Sequence, residues 1–238
     1  MNKVINIGPF LLQYHILVII IALIVSYSLL KLILKKMNSS NFADIYMNAM
    51  LIWGVFWKFG SIIWNLDLFI KTPSSILFLA GTEKTLWLGF LLACLFILIK
   101  FRKNKAHFWE FLDVLFIPVL SFLAIYHLLI FQYGYETNIW WGIYISSTNY
   151  KYHPVNFYYF LLDLFLLIWF LMKSNRRYET SLILSRCLIL YGVIAFFISL
   201  TIAQRIFIIG LSQTQLVFSC MVLIGLIING IRNKVTQK

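Results

Sequence analysis

The sequence predicts an all-α, polytopic integral membrane protein whose chain crosses the bilayer seven times. Three observations lead there. The 238 residues are 62% hydrophobic and only 12% charged, with a mean hydropathy of +0.88, so water is the wrong solvent for most of the surface. A spanning helix needs about 20 mostly apolar residues, and seven stretches approach that length, at roughly 10–34, 44–64, 77–100, 109–132, 154–172, 181–202 and 212–231. The 20 lysines and arginines cluster in short tracts between those stretches, the pattern of loops that face anionic lipid. The net charge of +12 therefore indicates a membrane surface and gives no support to a nucleic-acid partner.

The first stretch, Pro9 to Leu34, is too long for a secretory h-region and lacks a small-x-small cleavage pattern, so it is expected to remain as a helix. Lys31, Lys35 and Lys36 end it, and Asn38-Ser39-Ser40-Asn41 forms the polar break that follows. The second stretch carries Lys58, which either snorkels to the surface or faces a cavity. Asn65, Asp67, Lys71 and Pro73 make a polar connection to the third. That one ends in Lys100, Arg102, Lys103 and Lys105, and the fourth opens with Glu110 and Asp113 before Pro118, where a kink is expected. Pro154 is expected to start the fifth helix, because proline has no N–H to lose and its fixed φ suits a first turn. Tyr152 and His153 then stand at the rim of an aromatic loop, Tyr133 to His153, that includes Trp140 and Trp141.

The apolar runs follow one another without an internal repeat or a linker, so residues 1–238 are expected to form a single transmembrane domain. Cys94, Cys187 and Cys220 lie inside apolar segments without C-x-x-C spacing, so they read as small core residues, with neither a disulfide framework nor a metal site implied. The chain has no Gly-rich phosphate loop, no H-E-x-x-H and no Ser/His/Asp arrangement, and no cofactor or metal is expected.

Orientation follows from the basic residues. The loops after stretches one, three and five, together with the C-terminal tail, hold thirteen of them, against five on the opposite side. Basic residues flanking short loops are retained in the cytoplasm, so the N-terminus is expected outside, the C-terminus inside, and the aromatic loop before His153 outside.

The fifth stretch carries the clearest candidate site. Asn156, Tyr159 and Asp163 are spaced three and four apart and share one helix face. An unpaired carboxylate in lipid is costly, so that face should point inward. A cavity opening laterally and lined by Tyr14, Lys58, His127, His153, Tyr158 and Asp163 is expected, since polar groups within spans are stable only against one another or water. The plainer alternative has Asp163 merely pairing with another helix and His153 solvated. A small transporter lined by Lys58, Asp113 and Asp163 is a further alternative, without the discontinuous repeat such proteins show.

Several landmarks then fall in one order. Ile7-Gly8-Pro9 is followed by Tyr14, Asp44 by Lys58, Pro73 by Gly81, and Asp113 by Pro118. His153-Pro154 with Tyr158, the run Leu188 to Gly192, and Leu211-Ser212 with Gln215 complete the series. In this order and spacing the chain resembles the prolipoprotein diacylglyceryl transferases. The resemblance implies a seven-helix enzyme of the bacterial inner (plasma) membrane. Such an enzyme moves a diacylglyceryl group from phosphatidylglycerol to the thiol of a lipobox cysteine in a prolipoprotein and releases glycerol phosphate. That reaction must deprotonate a thiol with a pKa of about 8.5 and stabilise a departing phosphate. On the resemblance, His153 or His127 is the base, and Tyr14, Lys58, Asn156, Tyr158, Asp163 and Arg205 contact lipid or phosphate.

The chain also departs from the family pattern. After Gly81 it reads TEKTLWLGF, without the histidine of the family's H-G-G. It reads AIYHLLIF where the family has G-R-x-G-N, leaving only His127 near the arginine's place. The family's Y-G-x-x-R-F-x-x-E becomes a run from Tyr191 to Ser199 in which Ala195 replaces the arginine and Ser199 the glutamate. Two readings result. One is a divergent transferase in which Lys58, Lys84 or Arg205 takes the phosphate. The other is a relative that kept the lipid cavity, lost the chemistry and binds a lipid or a partner. The substitutions predict weak or absent transfer.

Overall fold

The computed structural model describes residues 4–7, 10–36, 41–72, 81–103, 105–174, 182–208 and 210–236. The described chain is mainly α-helical and falls into two compact units, one of residues 1–30 and 112–238 and the other of residues 31–111. Four helical stretches are long and apolar enough to cross a membrane: Tyr14–Lys35, Phe108–Leu129, Val155–Met172 and Gln213–Ile231. A shorter apolar helix covers Ile183–Ser199. This is the architecture of a multi-pass membrane protein.

In the smaller unit, helix α2 (Asn41–Phe59) packs against α4 (Glu83–Lys100). The approach is close because Gly89 has no side chain; a Cβ there would lie 2.6 Å from the Trp53 carbonyl oxygen. Thr82 starts α4 with a reciprocal capping box: its side chain accepts from Thr85 N, and its own N–H donates to Thr85 Oγ1 at 2.9 Å. The expected 44–64 span is shorter, since α2 stops at Phe59 and tightens into a 3-10 turn over Gly60–Ile63 before the short α3 (Leu66–Lys71). Lys58 therefore sits in the last turn of α2, not deep within a span. Pro73 lies outside the described residues.

The larger unit begins with a hairpin, β1 (Val4–Ile7) antiparallel to β2 (Phe10–Gln13), and helix α1 (Tyr14–Lys36) starts four residues later than expected. Gly8 and Pro9 lie outside the described residues. The expected fourth helix is interrupted at one residue, Leu115, between α5 (Lys105–Val114) and α6 (Phe116–Leu129); Leu115 keeps helical angles of φ -59 and ψ -21, and the apolar stretch Phe108–Leu129 runs on through it, as a kink would have it. Pro118 explains the position of the interruption. It lacks the N–H that would bond the Val114 carbonyl, and its ring would clash with that same group.

Between α6 and α7 (Val155–Ser174) the expected loop is an antiparallel sheet of three strands, β3 (Tyr133–Glu136), β4 (Ile143–Ile145) and β5 (Tyr150–Pro154), in the order β3-β5-β4. Pro154 closes β5, opposite Tyr133, and α7 starts one residue later than expected. Asn149 turns the chain between β4 and β5 at φ +59, a left-handed conformation that asparagine tolerates.

Helices α6, α7, α8 (Leu182–Ser199) and α9 (Gln213–Thr236) then pack each on the next. A second short hairpin, β6 (Ile206–Ile208) with β7 (Leu211–Ser212), leads into α9. Buried Asp113 caps α8 from outside, its Oδ1 accepting the Leu184 N–H at 2.9 Å, one of the amide groups that a helix start leaves without an internal partner. This gives Asp113 a structural task.

Helices α8 and α9 meet through two glycines. A Cβ at Gly192 would lie 2.7 Å from Val222 Cγ2 and 2.8 Å from the Phe218 carbonyl oxygen, and one at Gly225 2.7 Å from Ile189 Cγ1. Small residues at such crossings let helix backbones approach in lipid. Gly192→Ala is expected to cost roughly 1–3 kcal/mol in detergent unfolding. Gly230→Ala, in the same pair of helices but with nothing within 4 Å, is expected to cost nothing. Equal effects would show that the close approach is not what holds the pair.

Candidate functional site

The three polar residues of α7 do share one buried face. Asn156 is 5% exposed, Tyr159 7% and Asp163 0%. All three turn to one residue of α6, His127. The Asp163 carboxylate meets His127 Nδ1 at 2.7 Å, the Asn156 side-chain amide donates to the His127 carbonyl at 3.2 Å, and the Tyr159 ring stacks on the imidazole with centroids 5.1 Å apart. Tyr191 of α8 joins them as an electrostatic neighbour of Asp163 and Tyr159. A buried carboxylate is tolerated when it is paired and hydrogen-bonded, and this arrangement supplies that from three helices. The His127 side chain is 15% exposed, so the pair is not sealed.

His153 belongs to a second constellation. Its Nδ1 lies 3.0 Å from the Tyr158 hydroxyl, which also accepts the Trp141 indole N–H at 2.8 Å. Trp141 and Tyr158 line a groove of about 600 Å³ together with Leu128, Asn156, Phe157 and Leu161. The walls are almost wholly apolar. Asn156 is the exception, and its Oδ1 has no hydrogen-bond partner among the described residues. Asn156 thus joins the two constellations, holding the main chain at His127 while forming part of the groove wall beside Tyr158.

The remaining sequence-predicted residues are placed elsewhere. Tyr14 donates its hydroxyl proton to the Leu129 carbonyl at 3.0 Å, tying the start of α1 to the end of α6. Arg205 lines a separate polar cavity of about 540 Å³ with Gln132, Gln204, Ser212 and Thr214, where the Thr214 hydroxyl bonds the Gln204 side chain. Ser212 and Gln215 close that cavity's edge as the capping box of α9, with Ser212 N–H donating to Gln215 Oε1 at 2.9 Å. Lys58 belongs to the other unit. Of the residues expected to line one cavity, those in the larger unit occupy a His127 cluster with Asp163, a His153 cluster with Tyr158 and an anchor at Tyr14, and Arg205, expected to contact phosphate, lines a polar cavity of its own.

The profile of the prolipoprotein diacylglyceryl transferase family matches residues 2–230. The chain belongs to that family. It is also similar to a phosphatidylglycerol–prolipoprotein diacylglyceryl transferase of Finegoldia magna, with 26% identity over 231 residues, covering 93% of this chain and 91% of the relative. Membership makes the departures in α8 informative. Ala195 is fully buried and Ser199 nearly so, and the Ser199 hydroxyl is spent on its own helix, donating to the Phe196 carbonyl at 2.6 Å. Neither position places a charge in the unit's interior.

Two partners escaped the sequence reading. Trp141 reaches Tyr158 only because the sheet folds back over the start of α7, and Tyr191 reaches the Asp163 environment only because α8 packs on α7. His127→Ala would leave the Asp163 carboxylate buried without its partner, at an expected cost of roughly 3–5 kcal/mol. His153→Ala removes one hydrogen bond at a half-exposed rim and is expected to cost about 1 kcal/mol. Chemical unfolding in detergent measures both, and similar losses would contradict the ranking.

Proposed function

We propose that this chain is a slow phospholipid-dependent transferase that moves a diacylglyceryl group from phosphatidylglycerol to the thiol of a lipobox cysteine, with His127 oriented by Asp163 as the proton acceptor. The observation that carries this reading is the 2.7 Å contact between His127 Nδ1 and a fully buried Asp163 carboxylate in a member of this family. A carboxylate that fixes one imidazole nitrogen leaves the other to take a proton, the logic of activated nucleophiles in general. The thiol proton passes to His127 as sulfur bonds the glycerol carbon of the lipid. The bond from that carbon to the phosphate oxygen breaks, and glycerol phosphate leaves with the electron pair. The apolar groove suits an acyl chain, and Arg205, Tyr14, Asn156, Tyr158 and His153 are the polar groups available to the lipid in the larger unit.

The reaction is proposed to be slow because Ala195 and Ser199 are neutral and buried. Losing one oriented electrostatic contact typically costs about 100- to 1000-fold in rate. The same observation favours a second reading, a lipid-binding or partner-binding relative without turnover. With purified protein in phosphatidylglycerol nanodiscs and a lipobox peptide, thioether-linked glycerolipid is the expected product. Its rate should fall on the order of 100-fold or more in His127→Gln. Lipid binding without product, in wild type as in the variant, would establish the second reading.

We also propose that the protein sits in the bacterial inner membrane with seven crossings, the N-terminus and the β3-β5-β4 sheet outside and the C-terminus in the cytoplasm. What supports this is the asymmetry of thirteen basic residues against five and the cluster of exposed aromatic residues in that sheet and its connecting turn, Trp140, Trp141 and Tyr144 among them, where a headgroup layer would favour them. In intact cells an impermeant thiol reagent is expected to label a cysteine placed at Tyr150 and to miss one placed at Lys103. The reverse pattern would invert the topology.

A further inference from the structure

A histidine's two ring nitrogens have different tasks, and the hydrogen bond on one sets the state of the other. An indole N–H can only donate, so Trp141 donates to the Tyr158 hydroxyl oxygen at 2.8 Å. That hydroxyl must still place its own proton, and its other contact is His153 Nδ1 at 3.0 Å. With Tyr158 as the donor of that contact, Nδ1 carries a lone pair and neutral His153 bears its proton on Nε2. At His127 the direction is opposite. An ionised carboxylate only accepts, so with Asp163 ionised its Oδ2 draws the proton onto Nδ1 across 2.7 Å, and neutral His127 then keeps a lone pair at Nε2.

We propose that the two histidines are locked in opposite tautomers, so that His127 alone can accept a proton through Nε2, while His153 offers its Nε2–H as a hydrogen-bond donor to an anionic phosphodiester oxygen at the rim of the apolar groove. The assignment of roles rests on the transferase reading; the tautomers themselves do not. The groove explains why the acceptor is a phosphodiester. Its walls of Leu128, Phe131, Ile143 and Leu161 suit an acyl chain, and a chain seated there sets its headgroup against the polar edge formed by Tyr158 and Trp141, where His153 stands. Tyr158 then acts as a positioning residue, since it fixes which His153 nitrogen is the donor. In the transfer step the thiol proton goes to His127 Nε2, the sulfur–carbon bond forms as the carbon–oxygen bond to phosphate breaks, and the electron pair leaves on the phosphate oxygen. His127 then passes its proton to that phosphate or to water. His153 neither gains nor loses a proton.

The test is nitrogen NMR of the full chain with ¹⁵N-labelled histidines in detergent at neutral pH, the four histidines being assigned through single His→Gln variants. The expected spectrum has His127 protonated on Nδ1 and His153 on Nε2. Asp163→Asn should scramble His127 and leave His153 unchanged, and Tyr158→Phe should do the reverse. The same tautomer at both residues, or double protonation of both, overturns the proposal. A second arm adds dihexanoyl-phosphatidylglycerol or glycerol phosphate alone. A shift of the His153 Nε2–H with the lipid only is the expected result. Equal shifts with both would make the site one for free phosphate, and no shift with either would remove the donor role; both outcomes overturn the lipid assignment. His153→Gln is expected to weaken lipid binding roughly 10- to 100-fold. Because the spectra need no turnover, opposed tautomers in a protein that transfers nothing would end the transferase reading while leaving the two tautomers in place.

Discussion

The larger unit depends on one constraint, a carboxylate at Asp163 with no access to solvent. Taking such a group out of water costs several kcal/mol even after relaxation, and in a helix that spans lipid there is no water to recover it from. The neighbouring helices are arranged to meet that cost. Helix α6 brings His127 to the carboxylate, α7 itself adds the Tyr159 ring against the imidazole and the Asn156 amide on the His127 main-chain carbonyl, and α8 brings Tyr191. A carboxylate that merely filled space would be replaced by an apolar residue at no loss. Its presence beside a partly open histidine is what supports the proposal that this cluster is a chemical site.

The features around the pair keep it in register. Pro118 interrupts the backbone ladder of the helix that carries His127 just before α6 begins, and Tyr14 holds the far end of α6 through the Leu129 carbonyl. Asp113 fixes the start of α8 by accepting the Leu184 N–H, and Gly192 and Gly225 let α8 and α9 close on each other. The sheet performs the same service for the groove. Its β5 strand runs directly into α7, and its return through Trp141 pins Tyr158, so the groove wall and the His153 rim are set by one hydrogen-bonded chain.

Much of this was legible in the sequence, for physical reasons. Asn156, Tyr159 and Asp163 at helical spacing on an apolar helix can only face inward, and they do. The apolar runs located the long helices of both units, since periodicity and length are local properties, but not their ends, the short α3 or the interruption at Leu115. The short strands were not legible. Phe10 to Gln13 is as apolar as the helix it precedes, and Tyr133 to Pro154 becomes a sheet only through pairing between residues up to about twenty positions apart. Lys58 was misplaced because apolar residues continue beyond it, while the backbone tightens at Gly60. Which histidine meets Asp163 was open as well. His153 is nearer in sequence, but ten residues of strand end and helix carry it to the rim, whereas α6 packs along α7 and brings His127 alongside.

The family places charged groups in α8 where this chain has Ala195 and Ser199, and the chemistry proposed here rests instead on the His127–Asp163 pair acting as a unit. A double-mutant cycle on diacylglyceryl transfer to a lipobox peptide tests that claim directly, using His127→Gln, Asp163→Asn and the double variant, each checked for folding in detergent. Residues that act as one device lose their effect together. The account predicts that the double variant is no slower than His127→Gln alone. Rate losses that multiply would contradict it, because they would mean that His127 and Asp163 contribute separately and that the pair is only a packing solution for a buried charge.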